Sequence, residues 1–178
     1  MYYTGDGDKG TSTILNSKTR LEKSSPIFGL LGDLDEFNSY LGLCSVEAFD
    51  FLEIQKDIKD IQHNLFIIQA YFAKANVDFP ITALNKTEER IKEIALNIEK
   101  RESFVLSGGS RLSATLDIAR AIARRAERRA VGIRNSYKQE INSAIFAYLN
   151  RLSSLLYVLA RLANDLHSIK EESPNYDN

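Results

Sequence analysis

A disulfide framework is excluded at once, because the chain holds a single cysteine, Cys44. A lone thiol fits a reducing compartment, and Cys44 falls in an apolar helical pattern that reads as core rather than as nucleophile. Histidine is nearly as scarce. His63 and His167 are preceded three residues earlier by Asp60 and Asn164, so neither completes the Glu-x-x-His motif that a di-iron bundle site requires. Both read as structural or surface residues. An excess of one charge is missing too: the formal net charge of −1 argues against a general binder of polyanions, nucleic acid included. There is no 18-residue apolar run, and the amino-terminal stretch has no apolar signal core, so no membrane partner and a cytoplasmic location are expected.

The 178 residues that remain to be explained are 44% hydrophobic and 26% charged, a globular composition with enough length for one sizeable core. Apolar residues recur every three or four positions over five segments. The first, about 27–48, turns Leu30, Leu34, Phe37, Leu41 and Cys44 inward. The second, about 51–74, carries the stripe Ile54, Ile58, Ile61, Leu65, Ile68 and Phe72, alternating fours and threes like a bundle seam. Residues 76–85 contain Pro80 and break the pattern. A shorter helix, about 87–101, uses Ile91, Ile94 and Ile98. The fourth has Leu112, Leu116, Ala119, Ala123, Ala126 and Ala130 on one arc and ends near Gly132 or Tyr137. The fifth, about 140–169, has the longest seam, from Ile141 through Tyr148 and Leu152 to Leu166, and at about 1.5 Å per residue approaches 45 Å. The expected fold is all-α: one five-helix bundle of ferritin-like up-down arrangement over residues 1–170, with an amino-terminal loop at 1–26. A polar, frayed tail is expected at 171–178.

Three stretches carry candidate chemistry. Thr4 to Ser12 is dense in glycine, hydroxyl and charge: Gly5, Gly7 and Gly10 permit a backbone that gathers N–H groups around an anion, Lys9 supplies charge, and Thr11 or Ser12 a hydroxyl. Asp6 and Asp8 suit a Mg²⁺ ion held through its waters. The stretch lacks the Walker A pattern and the twelfth-position Glu of an EF-hand, and a plain glycine-rich turn explains it equally. Asp33, Asp35 and Glu36 crowd the start of the first helix, where at least one complements the helix dipole, and Asp35 shares a side with Asn38. On the fourth helix Arg120, Arg124 and Glu127 flank the apolar arc, whereas Arg125 and Arg129 point elsewhere. Guanidinium groups at a core edge need a carboxylate or phosphate, although a solvated surface face accounts for the same residues. Asn150-Arg151 interrupts the fifth helix beside its apolar stripe, where a buried amide needs partners.

Taken in order, Thr4-Gly-Asp-Gly-Asp-Lys-Gly-Thr11, Gly32-x-x-Asp-Glu-Phe-Asn38, Phe104-Val-Leu-x-Gly-Gly109, Ala119-Arg120 with Arg124-Arg-Ala-Glu-Arg128, and Tyr148-Leu-Asn-Arg-Leu-Ser153 resemble the PduO-type ATP:cob(I)alamin adenosyltransferases over residues 3–166. The resemblance implies a homotrimer with active sites at subunit interfaces. It implies transfer of the 5′-deoxyadenosyl group of ATP to the cobalt of a reduced corrinoid, with release of triphosphate. By that likeness Thr4, Gly5, Asp6, Gly7, Lys9, Gly10, Thr11 and Lys23 hold the polyphosphate and its Mg²⁺. Arg124, Glu127, Arg128 and Asn150 contact ATP, with Glu127 a candidate metal ligand. Asp35 of one subunit pairs with Arg120 of the next beside the corrinoid, and Phe104 presses on the corrinoid's lower face. A corrinoid reductase and an adenosylcobalamin-dependent client enzyme are the further partners implied. Ser107 stands where proline is usual before the glycine pair and Asp117 where His is common, so a looser chain beside Phe104 and competition between Asp117 and Asp35 for Arg120 are expected. A bundle that binds ATP or polyphosphate without catalysis is the alternative.

Overall fold

The computed structural model describes residues 2–100, 103–134 and 140–176. Among them stand five helices, α1 (Pro26–Glu47), α2 (Leu52–Phe72), α3 (Ile81–Asn97), α4 (Arg111–Ile133) and α5 (Ser143–Leu166), after two short strands, β1 (Thr11–Ser12) and β2 (Leu21–Glu22). α1 packs on α2 and α4, and α5 on α4 and α3, giving an all-α bundle with the small β1–β2 pair at one end.

The apolar stripes account for this packing. Leu30, Leu34, Phe37, Leu41 and Cys44 on α1 are all fully buried, as are the central residues of the α2 stripe. Burial pushes the Cys44 thiol up to about 11, so at neutral pH it is an inert part of the core. Ala119, Ala123, Ala126 and Ala130 lie buried on α4, and their small side chains let α5 and α1 approach closely. Ser110 opens α4 with its Oγ accepting from Ser113 N at 3.1 Å, and Asn142 opens α5 with its Oδ1 accepting from Ala144 N at 2.9 Å.

Several boundaries differ from expectation. α3 begins at Ile81 rather than near residue 87, because Pro80 is its N-cap rather than a break. The preceding segment is docked: Asn142 Nδ2 donates to Asp78 Oδ1 at 2.7 Å and to Phe79 O at 3.1 Å, and the Phe79 ring sits 4.9 Å from that of Tyr148. α3 ends at Asn97, and Arg101, its expected end, lies outside the described residues; α4 ends at Ile133, beside Gly132, one of its two expected ends, while the other, Tyr137, lies outside the described residues. α5 has 24 residues, about 36 Å long, and Leu166 at the end of its seam is 50% exposed. By length and composition alone α5 is apolar enough to cross a membrane, yet over half of that window is buried in the bundle.

The acidic cluster on α1 does not serve the helix dipole. The helix opens at Pro26, leaving no acid in its first turn. Asp33 instead faces α4, 2.7 Å from Arg129 Nε and 3.5 Å from Arg125 Nε, while Glu36 pairs with Arg125 Nη2.

The carboxyl-terminal segment is not frayed over its described length. Leu106 N donates to Glu172 O at 2.8 Å, and the hydroxyls of Ser103 and Ser173 lie 2.8 Å apart. These bonds also hold the chain around Ser107, where a loosening was expected.

Candidate functional site

Spacings of three and four residues set Asp117, Arg120, Arg124 and Arg128 in a row along α4. The same periodicity on α5 sets Asn150, Ser153, Tyr157 and Arg161 opposite them. Between the two rows run three adjoining clefts. One of about 310 Å³ is lined by Arg124, Glu127, Arg128, Val131 and Asn150. A second of about 270 Å³ lies between Arg120 and Arg124 on one side and Ser153, Ser154 and Tyr157 on the other. The third, about 530 Å³, is bordered by Arg120, Asp117, Tyr157, Phe104 and Tyr176. Arg124 is common to the first two and Arg120 to the last two, so the three form one groove.

The two ends of the groove differ chemically. At the first, Asn150 Nδ2 donates to Glu127 Oε1 at 2.8 Å, and Arg151 Nη1 donates to Asn150 Oδ1 at 2.8 Å. Asn150 is thus an exposed amide at the lip, not the buried one expected from its place beside the stripe. Arg124 and Arg128 are exposed, and among the described residues neither meets a carboxylate. Two unneutralised guanidinium groups with a carboxylate and an amide between them suit an anion bearing several oxygens.

At the far end the walls are aromatic. Phe104 is 79% exposed and so is no part of the bundle core. Its segment is anchored by a turn that only glycine fits: Gly109 has φ +96°, and a Cβ there would lie 2.5 Å from Asn164 Oδ1. Asn164 clasps the turn, accepting from Ser110 N at 2.9 Å and donating to Gly108 O at 2.9 Å. Arg120, between the two ends, has its Nε 3.3 Å from Asp117 Oδ1. Asp35 is exposed on α1, and one protomer does not bring it to Arg120.

The amino-terminal loop gathers its expected residues, but none of them lines the groove. Gly5 and Gly10 adopt φ of 77° and 76°, and Lys23 N donates to Gly10 O at 2.8 Å. The Lys23 side chain passes over Gly7, where a Cβ would be 2.7 Å from Nζ. Thr4 Oγ1 accepts from Asp6 N at 3.3 Å, and Lys9 is exposed. Arg20, which sequence reasoning missed, ties the loop together: its Nε donates to Thr11 Oγ1 at 3.0 Å, and its Nη2 to Thr11 O at 3.0 Å and to Asp6 O. Its role rests on a nine-residue return made by β1 and β2, which no periodicity announces. Among the described residues no hydrogen bond or ion pair joins this loop to Arg124, Glu127, Arg128 or Asn150.

A cleft of about 440 Å³ near α2 and α3, lined by Asp57, Asp60, His63, Lys86 and Arg90 among others, is a weaker candidate. Its charges are of both signs and partly satisfied internally, with Arg90 2.9 Å from both Asp57 Oδ2 and Glu93 Oε2.

Comparison with known proteins identifies the family. Residues 2–163 match the cobalamin adenosyltransferase family. A corrinoid adenosyltransferase of Bacillus subtilis is 34% identical, over 91% of this chain and 86% of that protein. The corrinoid adenosyltransferase PduO of Salmonella typhimurium is 32% identical over 98% of this chain and 54% of its own length. A variant of a PduO-type ATP:corrinoid adenosyltransferase from Lactobacillus reuteri, complexed with cobalamin and ATP, superimposes with a TM-score of 0.90 at 27% identity, covering 99% of this chain and 97% of that one.

Proposed function

The chain belongs to the cobalamin adenosyltransferase family, and from that premise we propose how its residues divide the adenosylation of a corrinoid by ATP. The observation that carries the assignment is the polarity of the groove: unpaired Arg124 and Arg128 at one end, exposed Phe104 at the other, Arg120 between. ATP lies with its triphosphate toward Arg124, Arg128, Glu127 and Asn150, and the corrinoid lies against Phe104.

In the reaction the cobalt of the reduced corrinoid attacks C5′ of ATP. A Co–C5′ bond forms, the C5′–O bond breaks, and triphosphate leaves with the electron pair. Co(I) is itself a strong nucleophile, so the protein has no base to supply. Its tasks are alignment of cobalt with C5′ and stabilisation of the charge that grows on the leaving triphosphate. Arg124 and Arg128 serve the second task. Phe104 serves the first: an apolar ring below the cobalt excludes water, cannot coordinate, and makes Co(II) easier to reduce.

The loop from Thr4 to Thr11, with Lys23, completes the polyphosphate site from a neighbouring subunit. The support is that the loop is built as an anion cradle yet meets none of the groove's ATP-end residues within one protomer. A homotrimer with interfacial sites satisfies this, and it also brings Asp35 of one subunit to Arg120 of the next. Mg²⁺ fits the same assembly. Asp6 and Asp8 have exposed carboxylates without a cationic partner among the described residues, and Glu127 has one oxygen engaged by Asn150 and, among the described residues, no hydrogen bond or ion pair at the other. When bound, the ion neutralises the triphosphate. A corrinoid reductase supplies Co(I), an adenosylcobalamin-dependent enzyme takes the product, and the protein works in the cytoplasm as one domain over residues 1–170.

Mixing the protein with ATP and chemically reduced cobalamin and following absorbance tests the assignment. Conversion to the adenosylated product is expected; a cobalamin spectrum that stays unchanged under turnover conditions rejects it. Sedimentation velocity at micromolar concentration is expected to show a trimer, and a stable active monomer overturns the interfacial site.

A further inference from the structure

Three charged side chains beside the groove have no task in that reaction, and all three are buried. Asp117 and Arg161 are 5% and 4% exposed, with Arg161 Nη2 donating to Asp117 Oδ2 at 2.8 Å. The Glu171 side chain is 3% exposed, its Oε1 lying 2.8 Å from Arg161 Nε in a close ion contact not aligned as a hydrogen bond. Taking such charges out of water costs several kcal/mol per ion, which apolar fillers of the same volume avoid. Their use is therefore to fix geometry, and what they connect identifies that geometry.

At one end of the row Asp117 holds Arg120, which lines the groove. At the other, Glu171 Oε1 accepts from Asn164 Nδ2 at 2.7 Å, and Asn164 is the residue that clasps the Gly108-Gly109 turn. Glu171 also begins the segment 171–176, which runs back along the Phe104 segment through the Leu106–Glu172 and Ser103–Ser173 bonds. The segment then delivers Tyr176, 78% exposed, to the same cleft as Phe104.

We propose that residues 171–176 are a strap that holds the Phe104 segment and adds Tyr176 as a second aromatic wall for the corrinoid, with Glu171 the positioning residue that fastens the strap to Arg161. The inference rests on the assignment of Phe104's cleft to the corrinoid. The strap bears on the corrinoid end alone, so its loss affects one substrate and spares the other.

The test is steady-state kinetics with cobalamin and ATP varied separately, for the full-length protein and two variants checked for folding by circular dichroism. Tyr176→Ala removes an exposed ring and leaves the buried charges intact. Loss of one aromatic contact raises the KM for cobalamin about 3- to 10-fold, with the KM for ATP and the Tm unchanged. Glu171→Gln keeps the acceptor for Asn164 but removes the charge facing Arg161. It raises the KM for cobalamin about 10-fold, lowers kcat, shifts the absorption band of bound cob(II)alamin and leaves the KM for ATP alone. A merely structural Glu171 gives a lower kcat with both KM values and the band unchanged, and that result overturns the proposal. So does an unchanged KM for cobalamin in Tyr176→Ala, which decides the matter alone if Glu171→Gln does not fold. A wild-type protein that fails to adenosylate cobalamin sinks the corrinoid assignment instead.

Discussion

Two pairs of arginines on α4 are one residue out of step with each other and have opposite surroundings. Arg125 and Arg129 face α1, where Asp33 and Glu36 neutralise them; Arg124 and Arg128 face the α5 groove, where no described carboxylate does. A shift of one position is 100° of helix, enough to change a tie between helices into a binding surface. A run of arginines therefore says little until the opposite wall is known. On the proposed assignment, positive charge is functional where the fold withholds its partner.

The sharpest way to break this comparison is to remove one arginine from each face. Arg124→Ala is expected to lower turnover by about 100-fold or more, as loss of a charge-stabilising donor does, with little change in Tm. Arg129→Ala is expected to do the reverse: a loss of about 1 kcal/mol of stability or less and unchanged turnover per folded molecule. Equal kinetic damage from both would erase the distinction between the faces. Phe104→Ala comes next. Because the ring is 79% exposed, the core penalty of about 3–5 kcal/mol for a buried Phe does not apply. The variant should stay folded and keep its KM for ATP, while turnover falls at least about 10-fold when Co(II) must be reduced on the enzyme. It should fall less when Co(I) is supplied. A drop in Tm matching the activity loss would give Phe104 a packing role instead.

Binding without chemistry sharpens the comparison further. Inorganic tripolyphosphate offers the Arg124 end of the groove its proposed ligand alone, and at ten times its Kd should stabilise the folded protein by about 1.4 kcal/mol, read as a rise in Tm. Arg129→Ala should keep that rise and Arg124→Ala lose most of it. A rise that survives Arg124→Ala moves the triphosphate elsewhere.

Legibility in the sequence divides along a similar line. Every residue expected on the inner faces of α1 and α2 is buried, because periodicity records burial and burial is what folds a helix into a bundle. Arg120 and Glu127 are half-buried at the edge of the α4 arc for the same reason, whereas Arg124 is exposed. What escaped depends on pairs distant in the chain. The partners of Asp33 lie on another helix, so the acids of α1 looked like dipole complements. Arg161 meets Asp117 across 44 residues, and a polar tail with Pro174 gave no sign that Glu171 would be buried. Pro80 was misread because proline interrupts and begins helices with the same ring, and only Phe79 and Asn142 distinguish the two outcomes.

The smallest expected effect is at Asp33, and it tests the neutral side of the comparison. Its side chain is 12% exposed, but its partners Arg125 and Arg129 are 40% and 45% exposed, so both cations can regain water if the carboxylate is lost. Half-exposed pairs of this kind contribute about 0.2–1 kcal/mol each. Asp33 Oδ2 meets Arg129 Nε as an ion contact rather than an aligned hydrogen bond, so Asp33→Asn removes charge attraction alone and the loss stays near the lower end of that range. Chemical denaturation should therefore show a small fall in midpoint at constant slope, and 0.5 M salt should shrink the difference between variant and wild type, as screening weakens the native pair. The KM for ATP should not move, because nothing at Asp33 reaches the groove. If Asp33→Asn instead raises that KM while stability holds, Arg125 and Arg129 belong to the nucleotide site, and the two faces of α4 are one.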